Sequence, residues 1–147
     1  MSCDAGAPGE EHERLRSELT NWAIAKKYTN EYTQLKSGAK PDVLRGTEDS
    51  KYLFIGDAKD SANEDSTNGE TLKRIQGYFQ EFANLLGENG YKGGILAIAT
   101  NLAEAAASWV PALNTLARIA GITSKEGGQP NFIVIETRPG KTWIIWW

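Results

Sequence analysis

Between residues 11 and 27 apolar side chains recur at helical intervals, Leu15, Leu19, Trp22 and Ala23, with charged residues between them. This spacing predicts an amphipathic helix with one buried stripe, with Glu11 and Glu18 beside it. Residues 1–10 are small and polar and contain a proline, so they read as a disordered leader. Residues 28–35, rich in Tyr and Thr, predict a first strand, residues 36–40 a turn, and Pro41 opens a short second strand over 42–45. After a polar turn at 46–50, residues 51–59 (KYLFIGDAK) are apolar on both faces in their first half, as a central strand is, and form a hairpin with the strand before them. A polar loop over 60–69 leads to the best helix of the chain, 70–86, with the stripe Leu72, Ile75, Phe79, Phe82 and Leu86, and Gly87 ends it. Residues 93–100 (GGILAIAT) are a buried strand joined to the previous one by that helix.

Residues 102–120 are helical in composition but contain Pro111, which predicts a short helix, a break and a second helix with Pro111 in its first turn and Gly121 as its cap. Two last strands, 131–137 and 142–147, flank a turn at 138–141. The order helix, three strands, helix, strand, helical segment, two strands describes a single α/β domain over 11–147, a mixed central sheet flanked by helices.

At 147 residues, 40% hydrophobic and 24% charged, the chain is long enough to bury a core without disulfides or a structural metal. Cys3 is its only cysteine, which excludes a disulfide scaffold and a cysteine-based zinc site. No run reaches membrane-helix length and the N-terminus lacks a signal-peptide pattern, so a cytoplasmic location is expected and a membrane partner is not. A net charge of -3 argues against a protein that merely coats nucleic acid. Residues 1–75 hold 11 basic and 14 acidic groups and residues 76–147 hold 5 of each, so ionic chemistry belongs to the first half.

There the informative feature is Pro41-Asp42 at the head of one strand and Asp57-Ala58-Lys59 at the end of the next. Asp57 and Lys59, two apart, share a face with Leu53 and Ile55 before them, and neighbouring strands about 4.8 Å apart can bring Asp42 to Asp57 if the register allows. Two carboxylates that close repel unless a cation lies between them, and magnesium suits such a site because it takes carboxylate and carbonyl oxygens and keeps waters.

These residues resemble the active-site motif of the PD-(D/E)XK nuclease superfamily, and the order of elements over 11–100 resembles that family's restriction endonuclease-like core. The resemblance implies a magnesium-dependent phosphodiesterase, manganese substituting, that acts on DNA as an endonuclease. It implies Asp42, Asp57 and the Ala58 carbonyl as metal ligands and Lys59 as the group that orients the attacking water. A first-helix acid is common in the family; Glu18, 24 residues before Asp42 as in its branched-DNA resolvases, fills that role, with Glu11 as the fallback. On the helix after Lys59 the resemblance points to Gln76, with Lys73 and Gln80 beside it and Lys40 before Pro41 as nucleic-acid contacts. The usual third-strand Glu is here the shorter Asp57.

RNA cleavage of the transfer-RNA toxin type and a catalytically silent domain that binds nucleic acid or protein are the alternatives. His12, the only histidine, reads as solvent-exposed at a helix start. Trp143, Trp146 and Trp147 suggest either an edge strand packed into the domain or a homodimer interface.

Overall fold

In the computed structural model, which describes residues 6–60, 69–88, 92–101, 105–121, 132–138 and 141–146, two apolar runs form the middle of one sheet. They are β3 (Tyr52–Lys59) and β4 (Gly93–Thr100), parallel and in register from Tyr52 opposite Gly93 to Lys59 opposite Thr100. On one side lie β2 (Val43–Gly46) and the two-residue β1 (Asn30–Glu31), both antiparallel to their neighbours. On the other lie β5 (Phe132–Arg138), parallel to β4, and β6 (Lys141–Trp146), antiparallel to β5. The six strands among the described residues therefore stand in chain order in a mixed open sheet.

Alternation along these strands divides the core in two. Helix α1 (Gly6–Ala25) buries Leu15, Leu19, Trp22 and Ala23 against Phe54, Ala58, Ala97 and Ile135 on one face. On the opposite face α2 (Gly69–Glu88) and α3 (Ala105–Ile119) cover Leu53, Ile55, Leu96, Ile98, Phe132 and Val134. Both crossovers between parallel strands carry a helix on this second face, which makes three layers. Among the described residues no helix is long and apolar enough to cross a membrane.

Three expectations change in detail. Helix α1 begins at Gly6, inside the stretch read as a leader, of which residues 1–5 lie outside the described residues. It ends because Lys27 turns to φ 76° and the Tyr28 N–H reaches back to the Ala23 carbonyl at 2.9 Å, a Schellman closure with lysine where glycine is usual. The strand expected over 28–35 shrinks to β1, because Leu35 swings into the α2-side core and a turn with Gly38 at φ 91° closes behind it, held by Leu35 N–H on the Ala39 carbonyl at 2.9 Å. Pro111 does not break α3: it is the seventh residue of one continuous helix whose Trp109 and Leu113 are fully buried, and that burial outweighs the one backbone hydrogen bond a proline forfeits. Gly121, at φ 84°, caps α3 as expected. Residues 139–140 of the expected turn, Trp147 and Cys3 lie outside the described residues.

Close approach of β3 and β4 demands a glycine at their start. A Cβ on Gly94 would fall 2.1 Å from the Leu53 carbonyl oxygen and 2.9 Å from the Phe82 ring. Gly94→Ala is expected to cost about 2–3 kcal/mol by forcing the strands apart, read as a lower midpoint in urea with an unchanged slope.

Candidate active site

The hairpin register decides where the acidic residues meet. Val43 faces Gly56 and Leu44 faces Ile55, so one further step sets Asp42 opposite Asp57 on the α2 side of the sheet. Each aspartate is tied to the other's strand. The Ala58 N–H donates to Asp42 Oδ2 at 2.8 Å, and the Asp42 N–H donates to Asp57 Oδ1 at 3.4 Å. Two residues on, at the carboxyl end of β3, Lys59 turns its Nζ back to 2.7 Å from Asp57 Oδ2, with side-chain exposures of 1% for Lys59 and 5% for Asp57. Apart from that ion pair Asp57 Oδ2 accepts no hydrogen bond among the described residues.

A concave site of about 330 Å³ opens over this pair, floored by Asp42, Asp57 and Lys59. Its walls come from three other segments: His12 of α1, Ala39 and Lys40 of the turn before β2, and Arg74 and Tyr78 of α2. That turn is held against α2 by Ser37, whose N–H and hydroxyl both donate to the Glu81 carboxylate. Burial is the main reason the Asp57 carboxyl is pushed up to about 7; the nearby Asp42 charge acts in the same direction and Lys59 opposes both.

Of the residues anticipated from sequence, Asp42, Asp57, Ala58, Lys59 and Lys40 come together here. The others do not. Glu18, half-buried one turn after Arg14, contributes to the field at that arginine and is not among the residues lining the cavity. Glu11 accepts from Arg14 Nε at 2.6 Å and from Asn101 Nδ2 at 2.9 Å, beyond the end of β4, and the Arg14 bond holds its carboxyl below the ordinary value. Gln76, Lys73 and Gln80 project to solvent, and Gln80 donates to Asn84 at 3.4 Å. The α2 positions that reach the cavity are Arg74 and Tyr78, one turn apart.

His12 gains a partner that its reading as an exposed residue does not include. Its side chain is 37% exposed, but it stands in the second turn of α1 rather than at the helix start, and its Nε2 lies 3.3 Å from Asp42 Oδ1, at the rim of the cavity. The signal was present, because His12 extends the stripe of Leu15, Leu19 and Trp22 by one turn toward the N-terminus. Tyr78 likewise falls between Ile75 and Phe82 on the buried face of α2, and Arg74 precedes it by one turn.

Among the described residues no group of three or more His, Cys, Asp and Glu side chains converges, so a cation at this place would have to rest on the two carboxylates, the main chain and solvent. That donor set fits magnesium, which keeps several waters. Two carboxylates facing each other, the buried Asp57 pushed up to about 7 and the half-buried Asp42, are also what a divalent charge would relieve. Comparison of the chain with family models, with curated proteins and with solved structures gave no match.

Proposed function

We propose that this chain is a metal-dependent nuclease of restriction endonuclease-like fold that hydrolyses phosphodiester bonds of DNA. The observation that carries the reading is the opposition of Asp42 and Asp57 across the β2–β3 hairpin, with Lys59 Nζ 2.7 Å from Asp57 at the floor of an open cavity. Asp42, Asp57 and the Ala58 carbonyl are the groups that would hold magnesium or manganese. When bound, such an ion lowers the pKa of a water and neutralises charge at the scissile phosphate.

The protein groups divide the remaining work. Lys59, buried with its charge fixed beside Asp57, presents an ammonium that orients the attacking water and meets a phosphate oxygen. His12 steadies the Asp42 carboxylate from the helix side, and the Ala58 N–H steadies it from β3. Arg74, on the α2 wall, supplies a second positive group toward the phosphate, at the helix where the resemblance points to the neutral Gln76. We further propose that two copies assemble through the C-terminal strand, since β6 stands at the edge of the sheet and cutting both strands of a duplex takes two sites.

The test is a panel of plasmid, linear, single-stranded and branched DNA, with RNA beside them, in magnesium, in manganese and in EDTA. Cleavage of DNA in either metal and none in EDTA is expected. Cleavage confined to RNA would move the assignment to an RNA-cleaving relative of the same fold. A well-folded chain that cuts nothing would be a silent binding domain.

A further inference from the structure

A second cavity, about 340 Å³, adjoins the first over the outer edge of β2, and the two share Lys40 and Asp42 in their walls. Its far wall is formed by Arg16 and Thr20 of α1 and by Thr33, where the chain leaves β1. The charges in this wall are unequal once pairings are counted. Arg45 is committed to the fold: it donates to the Tyr28 carbonyl at 2.7 Å and the Thr29 carbonyl at 3.0 Å, and pairs with Glu31 at 3.4 Å. The Asp42 carboxylate already has the Ala58 N–H and His12.

The remaining cations keep donors in hand. Lys40 is exposed and its Nζ has no partner among the described residues. Arg16 donates Nε to the Asp42 carbonyl at 3.1 Å and Nη1 to Glu13 at 3.1 Å, the latter a solvent-exposed pair of little strength, while Nη2 has no protein partner among the described residues. The wall carries three cations, Arg16, Lys40 and Arg45, against two carboxylates, Asp42 and the exposed Glu31, and a concave surface with that surplus of cationic donors favours an anion. The bond from Arg16 to the Asp42 main chain also fixes this site relative to the neighbouring catalytic cavity, since the same residue's side chain enters that cavity.

We propose that the outer cavity is a second phosphate site, in which Lys40 and Arg16 grip the backbone phosphate next to the scissile one. The proposal rests on the nuclease reading for its order of phosphates and deepens it: the substrate is a polynucleotide strand that continues past the cut on the β2 side. A terminal nucleotide ending at the scissile step leaves the outer site empty and binds correspondingly less well.

The experiment separates this from catalysis by measuring binding without turnover. Full-length Asp57→Asn protein in EDTA is titrated with fluorescein-labelled single-stranded and duplex oligonucleotides between 50 and 200 mM salt, alone and with Arg16→Gln, Lys40→Gln or both. Each of the two substitutions is expected to reduce the slope of log affinity against log salt by about 0.7–0.9, and the pair by roughly twice that. Arg16→Lys is expected to keep the slope. So is Lys51→Gln, an exposed lysine at the opposite end of β3. Unchanged slopes in both glutamine variants, or no binding of any oligonucleotide at the lowest salt, would overturn the proposal. Slopes that fall as expected in a protein whose wild type cuts nothing would keep the phosphate site and remove the nuclease. Cleavage with unchanged slopes would do the reverse.

Discussion

Replacing Asp57 with asparagine is expected to lower metal-dependent cleavage roughly a thousandfold and, in the same protein, to flatten the dependence of stability on pH between about 4 and 7. The first effect follows from position, because Asp57 is the carboxylate that faces Asp42 across the hairpin and pairs with Lys59. The second follows from burial. The Asp57 carboxyl moves from 3.8 in the unfolded chain to about 7 in the folded one, so between those values the folded chain binds the extra proton. Stability therefore falls as pH rises through this window, by on the order of 4 kcal/mol when the whole shift is realised. Glu11 works in the opposite sense and at lower pH: its carboxyl is held below the ordinary 4.5, so its contribution is present above that value and lost as pH falls through the lowered one. Urea denaturation in EDTA at half-unit steps of pH measures both. A wild-type curve as flat as that of Asp57→Asn would show that Asp57 is ionised in the folded chain at ordinary carboxylate pH.

Much of this site can be read from sequence because it lies on strands. Alternation alone puts Leu53, Ile55, Asp57 and Lys59 on one face, and the short turn between Gly46 and Tyr52 leaves few registers for Asp42 to choose from. Helices are less forthcoming. Each α-helical turn offers several candidate polar residues flanking the stripe, and the choice among Arg74, Gln76 and Gln80 depends on how α2 is rotated over the sheet, which is set by the packing of Ile75, Tyr78 and Phe82 against Leu53 and Leu96. On α1 the acidic residues are the conspicuous candidates, yet Glu11 and Arg14 face the β4 and β5 ends, where Arg14 donates to the Thr137 carbonyl at 2.9 Å. His12 and Arg16, on the other flank of the stripe, are the pair that meets Asp42. The length of β1 escapes the sequence for a related reason: alternation over 28–35 is a local property, whereas the strand's end is decided by Leu35 reaching a core that other segments build.

The second large effect belongs to Lys59. Lys59→Met keeps an unbranched apolar stem but removes the ammonium, leaving Asp57 buried with no cation beside it. Breaking a buried pair from one side costs about 3–5 kcal/mol, whereas replacing both partners by neutral groups is often close to neutral. The expected result at pH 8 is a loss of that size for Lys59→Met. At pH 5 the loss is smaller, because the Asp57 carboxyl, pushed up to about 7, already carries a proton there and is not a buried charge that removal of the lysine can strand. Adding Asp57→Asn to Lys59→Met removes the stranded carboxylate, so the double variant is expected to regain most of the stability at pH 8, and the cycle of the four proteins isolates the coupling between the two side chains. Cleavage is expected to be lost in every variant of the cycle, which separates the two roles of the pair. Equal losses at pH 5 and pH 8 with no recovery in the double variant would mean that Lys59 stabilises through its packing alone. In that case the ammonium beside Asp57 would be held by shape rather than by charge.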